Sequence, residues 1–223
     1  MHYFLTITKK LFLNYNILCY NTSLECKILD FRDKMDKENS NYLTGKCLIA
    51  PLSANDENFS KSVIYICRHS SDGAMGFVIN KKIKEFTFAD LATQLPIKFN
   101  YNTTPINLYQ GGPIDKVRGF VLHSTDYLRD DSIEPGGGIA ISSSIDILTD
   151  IAIGNGPKDK MIALGYASWA PKQLEQEIIN DMWIVAPANP ELLFRTKDED
   201  KWQKALDELG INPLYLSNFS GKA

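Results

Sequence analysis

The side chains of this sequence best suited to chemistry are two carboxylates, Glu175 and Glu177, two histidines, His69 and His123, and one cysteine, Cys67. A carboxylate pair serves acid–base catalysis only if both groups reach one substrate atom. Residues two apart on a helix point about 200° away from each other. Glu175 and Glu177 are therefore expected to act singly, as solvated groups or as first-turn carboxylates favoured by the helix dipole. The histidines lack H-E-x-x-H or H-x-H spacing, so a metal would need unrelated Asp or Glu ligands. Cys67 alternates within Ser62-Val-Ile-Tyr-Ile-Cys-Arg68 and reads as a small buried hydrophobe rather than a nucleophile. No serine sits in a G-x-S-x-G elbow. No catalytic, metal-binding or cofactor-binding residue is assigned.

Three glycine clusters, Gly111-Gly112-Pro113, Gly136-Gly-Gly138 and Gly154-Asn-Gly156-Pro157, have the composition of a phosphate cradle. None completes G-x-x-x-x-G-K-[ST] or G-x-G-x-x-G. Pro113 and Pro157 also remove amide donors that a phosphate nest uses. Turn geometry accounts for these glycines.

Tyr166, Trp169 and Gln173 are more informative. Aromatic rings at a strand-to-helix junction with an amide nearby suit a groove for a ligand or partner. With Asn80 and Glu175 they form the candidate binding patch. The alternative is that Tyr166 and Trp169 only plug the core where Gly165 turns the chain. Leu174, Ile178 and Met182 share one face of the helix that follows, so Gln173 and Glu175 are not needed for its packing.

The elements that position these residues can be read from periodicity. Cys47-Leu-Ile-Ala50 is a short strand ended by Pro51. Ser62–Arg68 and Ala74–Asn80 flank Asp72-Gly73, a strong hairpin signal because glycine accepts positive φ. Thr87 and Asp90 have capping-box spacing before a short helix carrying Phe88, Leu91, Ala92 and Leu95. Ser143-Ser-Ile-Asp146 repeats that pattern before a helix ending near Gly154. Gly119–His123, Gly138–Ile141, Met161–Leu164 and Trp183–Ala186 read as strands. Pro171 suits a helix first turn, Asn189-Pro190-Glu191 starts another helix, and Trp202, Ala205, Leu206 and Leu209 line a last one stopped by Gly210. These short, mixed elements show no βαβ rhythm and point to an α+β fold.

Several strings, taken in order, resemble the AlgH family of bacterial proteins. They are Gly73-Ala-Met-Gly76 leading to Asn80-Lys81, Gly111-Gly112-Pro113, Arg118-Gly-Phe-Val-Leu-His123, and Leu164-Gly-Tyr-Ala-Ser-Trp169. Gln173-Leu-Glu175-Gln-Glu177, Trp183 and Ala186-Pro187 complete the series. The resemblance covers essentially everything after Tyr42. It implies one domain over 42–223, with a branched, partly barrel-like mixed sheet surrounded by helices. The family's name comes from a proposed role in regulating transcription of polysaccharide synthesis genes; its molecular activity is not established. Two positions depart from the family pattern. Lys82 follows the Asn-Lys pair where proline is usual, and Lys172 precedes Gln173 where glycine is usual.

Residues 1–41 read as a poorly ordered extension. Met1 to Lys34 contain no Gly, Ala, Val or Pro, a selection that adenine- and thymine-rich codons supply, and Met35 opens a polar lead-in. Met35 is expected to be the true translation start. A targeting sequence is the alternative. Lys9 and Lys10 break its apolar stretch, no A-x-A site follows, and Asn16-Ile-Leu-Cys19 lacks the small residue a lipoprotein signal needs.

Composition bounds the rest. The chain has 223 residues, 44% hydrophobic and 23% charged, with net charge −3, an ordinary globular balance. Its longest basic cluster, Lys81-Lys82-Ile-Lys84, is too short to track a phosphate backbone, so direct sequence-specific DNA binding is not expected. No run of eighteen or more apolar residues suggests a membrane helix. Cys19, Cys26, Cys47 and Cys67 form no C-x-x-C, which favours a reduced, cytoplasmic protein. A noncatalytic regulatory or interaction protein, with a protein or small-molecule partner, is the expectation. The alternative is a small-molecule- or nucleotide-binding domain, or an enzyme with a dispersed site. The sequence specifies no oligomeric state.

Overall fold

The two apolar runs around Asp72-Gly73 fold as their composition demands. Strand β2 (Val63–Ser70) turns through Ser71 and Asp72 into β3 (Gly73–Val78), paired antiparallel from Ile64↔Val78 to Ser70↔Gly73. Gly73 has φ +118°, and a Cβ there would lie 2.2 Å from the Trp169 carbonyl oxygen, so only glycine fits. The computed structural model describes residues 42–52, 59–97 and 106–212. The expectations for residues 1–41, including Met35, Cys19 and Cys26, lie outside these described residues.

The remaining elements, in chain order, are β1 (Lys46–Ile49), preceding the hairpin, then α1 (Phe88–Ala92), β4 (Leu108–Gln110) and β5 (Ile114–Ser124). There follow β6 (Ile133–Gly136), β7 (Ile139–Ser142), α2 (Ile145–Ile153), β8 (Lys160–Trp169) and α3 (Gln173–Ile179). The chain continues through β9 (Ile184–Pro187), a π-helical turn (Glu191–Arg195) and α4 (Lys201–Asp207). The strands form one curled, open sheet in the order β6-β7-β5-β8-β3-β2-β1-β9. Every pairing along that path is antiparallel, and β4 joins beside β8 as the parallel exception. The expected α+β fold with a partly barrel-like mixed sheet is the fold observed.

Both faces of this sheet are covered, which is why its strands read as continuous apolar runs rather than alternating ones. In β2, Val63, Tyr65 and Cys67 enter the cluster inside the curl, beneath Leu192, Leu193, Trp202 and Leu206. Ile64 and Ile66 enter a second cluster beneath Leu174 of α3. A third cluster joins α1 and α2 to the outer side of β5 and β8. Strand β8 serves all three. Met161 and Ala163 face inward and Ile162 and Leu164 outward, yet Tyr166 faces inward while Ala167 and Trp169 face outward. The slip occurs at Gly165 (φ +74°), where a Cβ would approach the Ile114 carbonyl oxygen to 2.7 Å.

The helices differ from expectation at their ends. Thr87 and Asp90 form the reciprocal capping box. Ser144 occupies the N-cap of α2 but makes no capping bond with its side chain. Pro171 lies in the turn before α3 rather than in its first turn. Helix α3 is shorter than the Leu174–Ile178–Met182 spacing suggests. Asp181, at φ +57°, reverses the chain beyond Ile179, so Met182 leaves the helix face and stands 50% exposed. No helix among the described residues is long and apolar enough to cross a membrane.

Candidate functional site

Helix α3 lies over the outer face of β3 and β8, anchored by the fully buried Leu174. Its N-terminus is fixed by Gln173, whose Oε1 accepts the Ala170 N–H at 2.9 Å. The same amide donates through Nε2 to Glu177 Oε1 at 2.8 Å, one helical turn further on. Glu177 Oε2 then accepts two indole N–H groups, from Trp169 at the end of β8 and Trp183 just before β9, both at 2.7 Å. One carboxylate thus collects three uncharged donors and ties helix, strand end and return loop together. Phe59 packs edge to face on Trp183, with centroids 5.7 Å apart.

Beside this knot lies a cleft of about 610 Å³. One wall is α3 and its C-terminal turn, with Gln173, Glu177, Asp181 and Met182. The other is Ala167–Trp169 of β8 with Pro113 and Ile114. Met182 and Ile114 stand at 50% and 38% exposure, so the cleft keeps apolar surface in water. Among the described residues, no Lys, Arg or His lines it.

The structure brings only part of the sequence-derived patch together. Trp169 and Gln173 line the cleft. Tyr166 faces the inside of the curl, 6.0 Å from the Phe120 ring. Glu175 lies on the other flank of α3, where its Oε1 is 3.3 Å from His69 Nε2 without hydrogen-bond alignment. Asn80 pins backbone: its Oδ1 accepts the Val63 N–H at 2.9 Å and its Nδ2 donates to the Lys61 carbonyl at 2.8 Å. Glu177, Trp183, Met182 and Ile114 line the cleft but lie outside the sequence-derived patch. The i, i+4 spacing of Gln173 and Glu177 was the available signal for the first of them.

The remaining reactive side chains are occupied structurally. His123 and Ser142 are buried, with His123 Nε2 3.1 Å from Ser142 Oγ and Nδ1 3.0 Å from the Ser124 carbonyl oxygen. Burial lowers the histidine pKa, favouring the neutral ring that donates through Nδ1 and accepts from the serine. Cys47 and Cys67 are free and buried, and burial pushes each thiol up to about 12. That holds them as unreactive thiols. No group of three His, Cys, Asp or Glu among the described residues is arranged to hold a metal.

A sequence model of the family described as AlgH-like matches residues 47–214, from β1 to just beyond α4. The chain belongs to the AlgH-like family. Two bacterial relatives, both termed UPF0301 proteins, agree with this placement. That of Nitrobacter hamburgensis is 45% identical over 193 residues, covering 83% of this chain and 89% of that one. That of a Jannaschia species is 45% identical over 183 residues, covering 81% and 95%. The solution structure of the AlgH protein from Pseudomonas aeruginosa superposes with a TM-score of 0.66 at 36% identity, covering 85% of this chain and all of that one. A Corynebacterium diphtheriae crystal structure, at 23% identity and a TM-score of 0.62, shares the fold.

At Lys172, where the family resemblance implies glycine, the backbone adopts φ +64° at the N-cap of α3. The backbone at the entrance to this helix has the left-handed conformation that glycine takes without strain.

Proposed function

We propose that this AlgH-like protein is a noncatalytic interaction protein, regulatory in role and acting in the cytoplasm. Its recognition site is the cleft between α3 and the end of β8. The observation carrying this reading is the cleft's chemistry: exposed Met182 and Ile114 beside a rigid pair of indoles, with the adjacent Glu177 already accepting three N–H donors. Aromatic and methionine side chains around a concave apolar patch are the composition of a partner site. Among the described residues of the cleft wall, Glu177 has no histidine, cysteine or lysine beside it to share proton transfer. Two free buried thiols suit a reducing compartment.

The cleft volume also falls in the range of small-molecule sites, about 300–1,000 Å³. Its lining argues against nucleotides, because none of the described lining residues is a cation that would face a phosphate. A protein partner fits better.

Site-specific photo-cross-linking in cells tests the reading. A photoreactive residue at Met182 or Ile114 is expected to give discrete protein adducts. The same residue at Ile153, an exposed apolar side chain on α2, is expected not to. Equal adducts from all three positions, or none from the cleft, would overturn it.

A further inference from the structure

Strand β8 changes neighbours along its length. From Ile162 to Leu164 it lies between β5 and β4. Its last pairing with β5 is Ile114↔Tyr166, and Pro113, just before Ile114, has no N–H to extend the ladder. Beyond that point Ala167, Ser168 and Trp169 pair with Gly76, Met75 and Ala74 of β3 on one side. On the other side no strand accompanies them among the described residues. The cleft runs along this unaccompanied edge, since Ala167, Ser168, Trp169, Pro113 and Ile114 all line it.

An unpaired strand edge beside an apolar cleft is the geometry used when an extended peptide adds itself to a sheet. Main-chain hydrogen bonds then supply affinity, and alternate side chains enter pockets. The charge of the walls selects the side chain. Glu177 and Asp181 line the cleft with no basic residue, and neither is paired with a cation among the described residues. A cationic side chain entering there meets carboxylates and aromatic rings, both of which attract it, whereas an acidic one is repelled.

Resting on the cleft reading above, we propose that the partner is an extended peptide segment bearing a basic residue, docked as an additional strand on Ala167–Trp169 of β8. Its apolar side chains would contact Ile114 and Met182, and its guanidinium or ammonium group would lie toward Glu177 and Asp181.

The test uses the full chain labelled for NMR and three capped synthetic peptides. The first alternates arginine with valine, the second replaces arginine by glutamate, and the third is the arginine peptide N-methylated on alternate residues. The arginine peptide is expected to shift the amides of Ala167, Ser168 and Trp169 saturably and to bind about tenfold more tightly than the glutamate peptide. N-methylation is expected to abolish binding by removing main-chain donors. Asp181→Asn is expected to weaken the arginine peptide alone. Equal binding of arginine and glutamate peptides, undiminished binding after N-methylation, or unmoved 167–169 amides would overturn the proposal. Any of these alongside cleft-specific cross-links through Met182 and Ile114 leaves the interaction site standing and sinks only the strand-addition mode. Absence of those cross-links sinks the site itself.

Discussion

Trp169 and Trp183 meet edge to face, with ring centroids 6.1 Å apart and 82° between their planes, and both indole N–H groups end on the same oxygen of Glu177. The two rings are 6% and 8% exposed, so their N–H groups have little access to replacement water. Glu177→Ala leaves both without an acceptor, at about 1–3 kcal/mol for each. The expected loss is about 3 kcal/mol in urea unfolding, with tryptophan emission shifted to the red. Glu177→Gln keeps one acceptor oxygen and is expected to cost about 1 kcal/mol. An alanine variant as stable as the parent would show that the carboxylate does not hold the indoles.

Lys172, at φ +64°, carries a conformational strain that a glycine would avoid. A residue with a Cβ in the left-handed region costs about 1–2 kcal/mol, partly offset by the greater unfolded-state freedom of glycine. Lys172→Gly is therefore expected to stabilise the domain by up to about 1 kcal/mol. Lys172→Ala, which keeps the Cβ, is expected to bring no such gain. Equal stability of the glycine and alanine variants would contradict the strain.

His123 makes the protein's stability depend on pH. Burial lowers its pKa from the ordinary 6.5, opposed by the Ser124 carbonyl and nearby carboxylates. A depressed folded-state pKa means that below about 6.5 the unfolded chain takes up a proton that the folded ring declines. The contribution is complete above pH 6.5 and is lost as pH falls toward the folded-state value. Chemical denaturation at stepped pH is expected to show stability declining below 6.5. His123→Gln is expected to flatten that slope while costing stability at neutral pH. An unchanged slope in the variant would assign the titration elsewhere.

The contrast between what could and could not be read from sequence follows from range. The Asp72-Gly73 turn and the Thr87–Asp90 capping box are local chemistry and form as written. Strands β4 and β6 escape a sequence reading because each has few residues and takes its pairing from distant neighbours, Ile162 to Leu164 for one and β7 for the other. At the site, Trp169 and Gln173 were legible as an aromatic–amide junction. Glu177 cannot pair with Glu175 on a helix, and the two indoles it accepts come from β8 and the loop before β9, out of reach of local spacing. Gln173, expected to be free of structural duty, holds both the Ala170 N–H and Glu177.

The most distant of these relationships is also invisible in sequence, and it supplies the last prediction. Lys201 opens α4 as an ordinary surface-type residue, yet it is 1% exposed. Its Nζ donates to the Ile79 carbonyl oxygen at 2.7 Å, just past the end of β3, and to Asp198 Oδ1 at 2.8 Å. The Tyr109 hydroxyl donates to the other Asp198 oxygen at 3.2 Å. Burial lowers the lysine pKa and Asp198 works against that shift, so the ammonium is held by its partners rather than by water. Next to it, Trp202 Nε1 donates to the Ala50 carbonyl at 2.7 Å. Together these bonds orient α4 over the inner cluster. Lys201→Met preserves the aliphatic stem but strands the Ile79 carbonyl and leaves Asp198 without its cation, at about 3 kcal/mol. For a domain of this size that corresponds to a Tm lower by about 9 °C. The double variant Lys201→Met with Asp198→Asn removes the stranded charge as well and is expected to recover part of the loss. If the single variant melts with the parent, the buried lysine is not what fastens α4 to the sheet. If the double variant falls by the sum of both single losses, the pair is not coupled.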